Sequence, residues 1–529
     1  MSFEDCAREA ERSFRRRART ARLAVPGKTL ARASVYKGGE VNRLVEDWIA
    51  TIMHPDEELR WSLRRMRARS REQGRNNPYA KAYLGALTVN VLGPSGPKLQ
   101  AEVRDNSGNL NDRINGKIEE AFYEWAKRPT VDGKLTLAGF SHLALRTAAG
   151  DGEKFIRLWR GFDNPWSFAI ESVDADQIDE LYNVPPGRGQ PEVRLGIEVD
   201  RFGRPLGYHA WDRPDYAMYS PRERVRIPAS EMLHLYNHER VNQTRGLPWA
   251  HVVMWALKML EGYSEAEVVA ARTAAAKMGF WTRVPKEGTY GEIPVDKQTG
   301  AIALDAAPGS FDFGPEGYQL QPWDPQHPSA NYADFVKAKL REIASGLGMS
   351  YNALANDLEG VNYSSMRSGL LIEREVWRSV QRWWIEGFLQ PIFEEWLNMA
   401  LLSGALTLDG RNSQKFKAHR WAPRGWQWVD PLKDTTAGIA GIKTGLTSRR
   451  RLLAEQGIDF DTVIEELAEE EKRAKEKGVD ISGPKSEPSG FAAASKDDDD
   501  VDDVVDAGKP KDGKNGKKSR DEVLRALRG

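Results

Sequence analysis

The stretch RARSREQGRNNPYAKAYLGALTVNVLG, Arg67 to Gly93, divides at Asn76-Asn77-Pro78 into two helical patterns. Pro78 has a fixed φ and no N–H, which suits the first turn of a helix, and Asn76 or Asn77 stands where a capping side chain is needed. Beyond it Tyr79, Tyr83, Leu84, Leu87 and Val91 recur at helical spacing until Gly93 and Pro94 stop the run. Before it Leu59, Leu63 and Met66 form an apolar stripe with arginines on the other face. They lie within a helical stretch from Asn42 to Gly74 that restarts at Pro55-Asp56.

Working outward, Leu99 to Val103 alternates like a strand, and Ile114 to Trp125 is helical with Ile118, Phe122 and Trp125 on one face. Leu137 to Ala149 is a further helix, broken by Gly150 to Gly152. Lys154 to Trp159, Ser167 to Val173, Val193 to Val199 and Gly207 to Trp211 are short and rich in branched or aromatic residues, and they read as strands of a mixed sheet. His251 to Trp281 reads as one helix of roughly 45 Å at 1.5 Å per residue. Its second half, AEVVAARTAAAK, has small side chains that suit close packing of one helix on its copy in a ring, or burial in the chain's own core. Asn331 to Gly346 is helical. Met366 to Leu402 is a second long helical region, with Leu370, Trp377, Trp384 and Phe388 near the helical period and Pro391 expected to kink it. Thr447 to Glu471 reads as one charged helix or two. The fold class is therefore α+β, mainly helical.

The chain has 529 residues, 40% of them apolar, and a mean hydropathy of −0.60, enough for a sizeable core in two to four compact units. No run of eighteen apolar residues exists and the N-terminus MSFEDCAREAERSFRRRAR lacks an apolar signal core, so we expect no membrane insertion or secretion. Cys6 is the single cysteine, which excludes an internal disulfide and a thiolate zinc cluster. Lysine plus arginine equal aspartate plus glutamate at 77 each, so no global basic excess drives salt-sensitive DNA binding. Charge is instead segregated. Arg12 to Arg22 carries six arginines, Arg15, Arg16 and Arg17 among them, which suits phosphate or an acidic partner, or a solvated leader. Lys496 to Asp506 holds an acidic run, Lys509 to Lys518 a Gly and Lys run, and the tail from Lys472 is expected to be disordered.

Enzymatic motifs are missing. GIAGIKTG at Gly438 to Gly445 has the wrong spacing for a phosphate loop, and there is no H-E-x-x-H, G-x-S-x-G or G-x-G-x-x-G after a strand. His234 and His238 sit four apart, but LHLYNH reads as the end of a strand, where such positions lie well separated. Asp151 with Glu153, and Glu171 with Asp174 and Asp176, have the residue types for magnesium but are expected in solvated loops. Arg240 and Arg245, with Asn242 and Gln243, form a polar basic loop suited to a phosphate or partner contact, or to holding a turn. Asn362 to Ser365 offers a cap for the helix from Met366. Arg367 then lies in the first turn, where the helix dipole disfavours a cation and calls for a carboxylate partner. No catalytic residue, cofactor site or metal site is assigned.

Two further segments extend the pattern of Arg67 to Gly93: HLYNHERVNQTRGLPW at His234 to Trp249, and GMSYNALANDLEGVNYSSMRSGLL at Gly348 to Leu371. In this order the three resemble the RSR...RNN, Q-x-R-G-x-x-W and GVNYSS-x-R blocks of lambda-like portal proteins of double-stranded DNA phages, over about Trp48 to Asp430. HLYNHER and the long tail depart from that pattern, which bears on partner contacts more than on fold. The resemblance implies a portal-type ring subunit with wing, stem, clip and crown regions, in a homo-oligomeric ring of about twelve copies at one capsid vertex.

By that resemblance, residues 1–40 are a basic arm open to processing, 41–250 a wing-like helical and mixed-sheet region running into stem and clip, and 251–346 a stem-like helix with connecting structure. Residues 347–471 are the tunnel-loop region and helical crown, and 472–529 the tail. The implied partners are double-stranded DNA in the channel, the terminase large subunit, the major capsid protein or scaffold, and a head-completion or tail connector protein. The chain is expected in the virion, assembled in host cytoplasm. Arg15, Arg16, Arg17, Arg240, Arg245, Asn362 and Arg367 are the candidate DNA or partner contacts. The rivals are a metal-dependent nuclease using the Asp151 or Asp174 clusters, and a head-completion adaptor, which would be much shorter.

Overall fold

The computed structural model describes residues 52–187, 189–212, 222–275, 279–283, 318–322, 331–359, 363–408, 413–426, 431–458 and 460–479. Residues up to Phe460 form one compact unit and those from Asp461 a second. Among the described residues of the first unit the chain runs α1 (Pro55–Arg60), α2 (Leu63–Asn76), α3 (Pro78–Leu92), β1 (Lys98–Ala101), α4 (Asp112–Ala126), α5 (Leu137–Asp151), β2 (Glu153–Arg160) and β3 (Phe168–Val173). It continues with β4 (Glu192–Arg194), β5 (Ile197–Val199), β6 (Pro205–Trp211), β7 (Arg224–Pro228), β8 (Met232–Tyr236), α6 (Met254–Ala275), β9 (Gly279–Arg283) and β10 (Tyr318–Pro322). Then come α7 (Tyr332–Leu347), α8 (Tyr351–Ala355), α9 (Tyr363–Trp384), a π-helical turn (Ile385–Leu389), α10 (Gln390–Leu402), β11 (His419–Ala422), α11 (Pro431–Lys443) and α12 (Arg449–Glu455). The helix α13 (Phe460–Lys477) makes up most of the described part of the second unit, which runs to Val479. It carries the charged pattern six residues past Glu471, into the stretch read as tail.

The helix junction expected at Asn76 to Pro78 forms at Asn77. Its side chain accepts from the N–H groups of Tyr79 and Ala80 at 3.0 and 3.2 Å, satisfying two of the donors a helix start leaves open. Tyr83, Leu84, Leu87 and Val91 of α3 are buried, as are Ile118, Phe122 and Trp125 of α4. The centre of the core is aromatic: Phe122 meets Trp396 edge to face at 5.1 Å between centroids, Phe393 at 5.6 Å and Trp421 at 5.8 Å. Edge-to-face pairing places ring hydrogens on π faces and adds roughly 0.5–1.5 kcal/mol per pair beyond burial. Trp377, Trp384 and Phe388 bring the stripe of α9 into the same core.

Around Pro391 the helix stays continuous. The π-helical turn precedes α10, and the wider turn accommodates the proline ring, which in a regular α-helix would strike the carbonyl four residues back.

Three expectations about elements change. The mixed sheet is two antiparallel sheets, β3-β2-β8 and β4-β5-β6-β7. Val193 to Val199 is two strands joined at Leu195-Gly196, whose φ values of 48° and 83° make the tight two-residue turn that matches strand twist. A side chain at Gly196 would stand 2.6 Å from the Asp179 carbonyl oxygen, so glycine is required there. The third concerns the long middle helix, which ends by Ala275 within the described residues. Trp281 lies in β9, paired with β10, because Gly279 interrupts the alanine-rich run and Phe-Trp-Thr favours extended backbone. The cap at Asn362 and the arm residues Arg15, Arg16 and Arg17 lie outside the described residues, whereas α9 begins at Tyr363, three residues before the expected start. No helix among the described residues is long and apolar enough to cross a membrane.

Candidate functional site

The sequence blocks that stand far apart along the chain converge on one carboxylate. Glu153 opens β2 just after the left-handed Gly152 that ends α5, and its side chain has no exposure. Arg67 reaches it from the buried face of α2 at 2.9 Å. Arg245 grips it from the loop before α6, with Nε at 2.9 and 3.0 Å and Nη2 at 2.6 Å. His234 Nε2, on the neighbouring strand β8, lies 3.0 Å from Oε2, and the Gly246 N–H donates at 3.2 Å. Register puts Phe155 opposite His234, and their rings stack at 4.1 Å.

A second tier surrounds this centre. Arg71, one helical turn beyond Arg67, clamps both oxygens of Asp151 at 2.7 and 2.8 Å and reaches Asp174 at 2.9 Å. Asp176 accepts from both Arg67 and Arg71. Asp151, Glu153, Asp174 and Asp176, which read as solvated loops or magnesium ligands, are therefore the anionic half of an ion network, and Asp174 additionally caps the short turn Ala175–Gln177, whereas Glu171 lies outside it and accepts from Trp159 Nε1 at 2.8 Å. Among the described residues no group of three or more His, Cys, Asp or Glu side chains is arranged to hold a metal. Side chains that bond four or five partners in fixed forks leave little room for a cation that must replace them.

Electrostatics follow from burial opposed by pairing. Burial pushes the Glu153 carboxyl up. The charge of Arg245, the hydrogen bonds from His234 and Arg245, and the charge of Arg67 outweigh it, so the group stays ionised well below the usual carboxylate range. Burial pulls His234 below its ordinary value despite its bond to Glu153, so the ring is neutral with Nε2–H donating. Burial raises Asp151 despite Arg71. Lys154 points away from Glu153 in the strand, donates to Ser172 Oγ at 2.6 Å and the Val173 carbonyl at 3.1 Å, and is pulled by burial down to about 8.

Arg245 thus sits inside the subunit with no accessible surface. It also holds the Leu195 carbonyl at 2.8 Å, pinning a residue in the left-handed region. The sequence reading missed this convergence; its signal was the pairing of arginines in the first and second blocks with the isolated Asp-Gly-Glu between them. Arg240 is exposed and pairs with Glu58 of α1, while Arg367 of α9 finds its carboxylate in Asp434 of α11 at 2.7 Å. The candidates are dispersed: Arg245 is central, and Arg240 and Arg367 lie on separate elements.

A family model described as phage portal protein, lambda family, matches residues 42–381. The chain is 34% identical over 427 residues to the probable portal protein of Halomonas phage phiHAP-1, covering 78% of this chain and 81% of that one. It is 22% identical to portal protein B of Escherichia phage lambda, over 72% of this chain and 76% of that protein. A solved structure of the neck of an empty gene transfer agent particle superposes with a TM-score of 0.42 at 13% identity, over 75% of this chain and 94% of that one.

Proposed function

The chain belongs to the lambda family of phage portal proteins, and from that premise we propose how it carries out the portal role. It is a structural component of the virion rather than an enzyme, and it works as a homo-oligomeric ring. The observation that carries the reading is the family match across residues 42–381, which contains every member of the Glu153 network.

The ring has about twelve subunits and sits at one capsid vertex. Double-stranded DNA passes through its channel during packaging and ejection. The terminase large subunit docks on it while the head fills, the major capsid protein or scaffold surrounds it, and a head-completion or tail connector protein replaces the terminase afterwards. Assembly takes place in host cytoplasm. Residues 41–250 form the wing running into stem and clip, 251–346 the stem-like helix and its connections, and 347–471 the tunnel-loop region and crown. Arg15, Arg16, Arg17, Arg240 and Asn362 contact DNA or a partner. A neutral charge balance supports a channel in which DNA slides, since each neutralised phosphate adds affinity by counterion release.

The surface of α6 supports a ring contact. Trp255 is 73% exposed, and Met259 and Tyr263 follow it at four-residue spacing on the same face. Tyr263 meets Phe335 of α7 at 5.1 Å, so the apolar face continues onto a second helix. Clustered apolar groups rather than a single one mark a surface that another chain covers, and in a ring that chain is the next copy. Mass photometry of the purified full chain tests this: a species of roughly twelve 59.5-kDa chains is expected, and a monomer at every salt concentration contradicts it.

A further inference from the structure

The face of α9 turned away from the aromatic core carries a basic stripe. Arg367, Leu371, Arg374, Arg378 and Arg382 recur at helical spacing on one side, while Glu373, Trp377, Gln381 and Trp384 are buried on the other. The stripe borders two adjoining cavities of about 590 and 330 Å³ that share Arg378, Trp426 and Glu455. The larger lies within the range of clefts that enclose ligands, about 300–1,000 Å³.

Trp426 stands at the boundary with three guanidinium groups around it: Arg374 and Arg378 at 5.8 Å from the ring centroid and Arg424 at 6.0 Å. The indole is fixed by a hydrogen bond from Nε1 to Asn90 Oδ1 at 3.1 Å. Arg424 is held by the Val89 carbonyl at 2.5 Å, and Gln381 bonds the Arg424 carbonyl at 2.9 Å. Arg420 and Arg451 also line the larger cavity, and Ile385, Trp421 and Pro423 contribute apolar lining. Among the described residues, seven arginines line the two cavities against the three carboxylates Glu386, Asp434 and Glu455. Glu375 and Glu102, which pair with Arg378 and Arg420 from outside, do not close the gap. Burial, with Arg378 and Arg424 close by, pulls Arg374 below the ordinary guanidinium range.

We propose that this cleft is a docking site for a short acidic segment of a partner protein, its carboxylates meeting the arginines and an apolar or aromatic side chain lying on Trp426. Planar guanidinium forks match carboxylates two bonds at a time, and tryptophan and arginine are among the residue types enriched where binding energy concentrates. A concave cleft with apolar lining takes side chains of a peptide, whereas the DNA duplex presents a convex, polar phosphate rail. The proposal is independent of ring formation.

The test uses a fluorescein-labelled peptide of alternating Asp and Glu around one central Trp, followed by anisotropy with the full chain. Duplex DNA of matching charge and inorganic tripolyphosphate serve as competitors. The variants are Arg378→Glu with Arg382→Glu, both on exposed side chains, and separately Arg451→Glu, with circular dichroism to verify folding. Micromolar binding that weakens by roughly tenfold or more in folded variants, with both competitors poor, is the expected result. Unchanged affinity in the variants, no binding below millimolar peptide, or duplex DNA competing as well as the peptide overturns the proposal.

Discussion

Arg245 and Glu153, 92 residues apart in sequence, form a forked ion pair with Nη2 to Oε1 at 2.6 Å and no accessible surface on either side chain. Arg245→Met strips Glu153 of its fork and leaves it Arg67, His234 and the Gly246 N–H, at an expected cost of about 3–5 kcal/mol. Glu153→Leu leaves the buried Arg245 without its carboxylate and Arg67 with Asp176 as its remaining short bond, at a similar cost, so the double replacement should cost less than the sum of the two single ones. Urea denaturation of the four species gives the coupling directly; losses that simply add would contradict it.

Acid sensitivity follows from the same residues. His234 has a folded-state pKa below its ordinary value of about 6.5, so the unfolded chain takes up a proton there first. Stability is therefore present above about pH 6.5 and is lost as pH falls through that value. Glu153, held low by its partners, adds a further loss below about pH 4.5; the raised carboxyl of Asp151 opposes it there. The urea midpoint should drop between about pH 7.5 and 5.5, and drop less in His234→Gln, which keeps a donor but not the titration. A pH-independent midpoint over that interval counts against a neutral buried histidine.

Lys154 acts in the opposite range. Its pKa is pulled by burial to about 8, so the folded chain gives up the proton between about 8 and 10.5 while the unfolded chain keeps it, and this contribution makes stability rise with pH there. At neutral pH the shift of the ammonium costs about 3 kcal/mol. Lys154→Met keeps the length, loses the bonds to Ser172 and Val173, and should still raise the thermal midpoint at pH 7 by an amount worth about 1 kcal/mol. A lowered midpoint would show that the two hydrogen bonds outweigh desolvation.

The cap at Asn77 sets where α3 begins. Asn77→Ala should cost about 0.5–2 kcal/mol, and Asn77→Ser should recover most of it, since a hydroxyl can accept from the same N–H groups. Equal loss for alanine and serine in chemical denaturation would argue that the amide acts through packing instead.

The exposed face of α6 should be dispensable for folding and necessary for assembly. Trp255→Glu places a charge where the side chain is 73% exposed, so the subunit should unfold at an unchanged urea midpoint while its ring fraction collapses in sedimentation velocity. Rings that persist in Trp255→Glu would move the subunit contact elsewhere.

Local periodicity made the helices legible. Pro78 with Asn77, the stripe Ile118, Phe122 and Trp125, and the aromatic positions of α9 each announce their element and buried face, because burial imposes the helical period directly on residue type. The Leu195-Gly196 turn was missed because leucine rarely adopts positive φ, and what holds it there is a side chain fifty residues downstream. The charged centre was hidden for a related reason. Asp151, Glu153, Asp174 and Asp176 look like solvent-facing acids in one dimension, and only the pairing of β2 with β8 and the packing of α2 bring arginines to them. Arg367 was the exception: its awkward place near a helix start called for a carboxylate, and Asp434 supplies it.

As a member of the lambda portal family, this chain is expected to close into a ring. Negative-stain electron microscopy of the purified full-length protein, classified for rotational symmetry without imposing any, tests it most directly. Closed rings with a central hole and about twelvefold symmetry are the expected result. Compact monomers or two-fold dimers as the only species, across low and high salt, would contradict it.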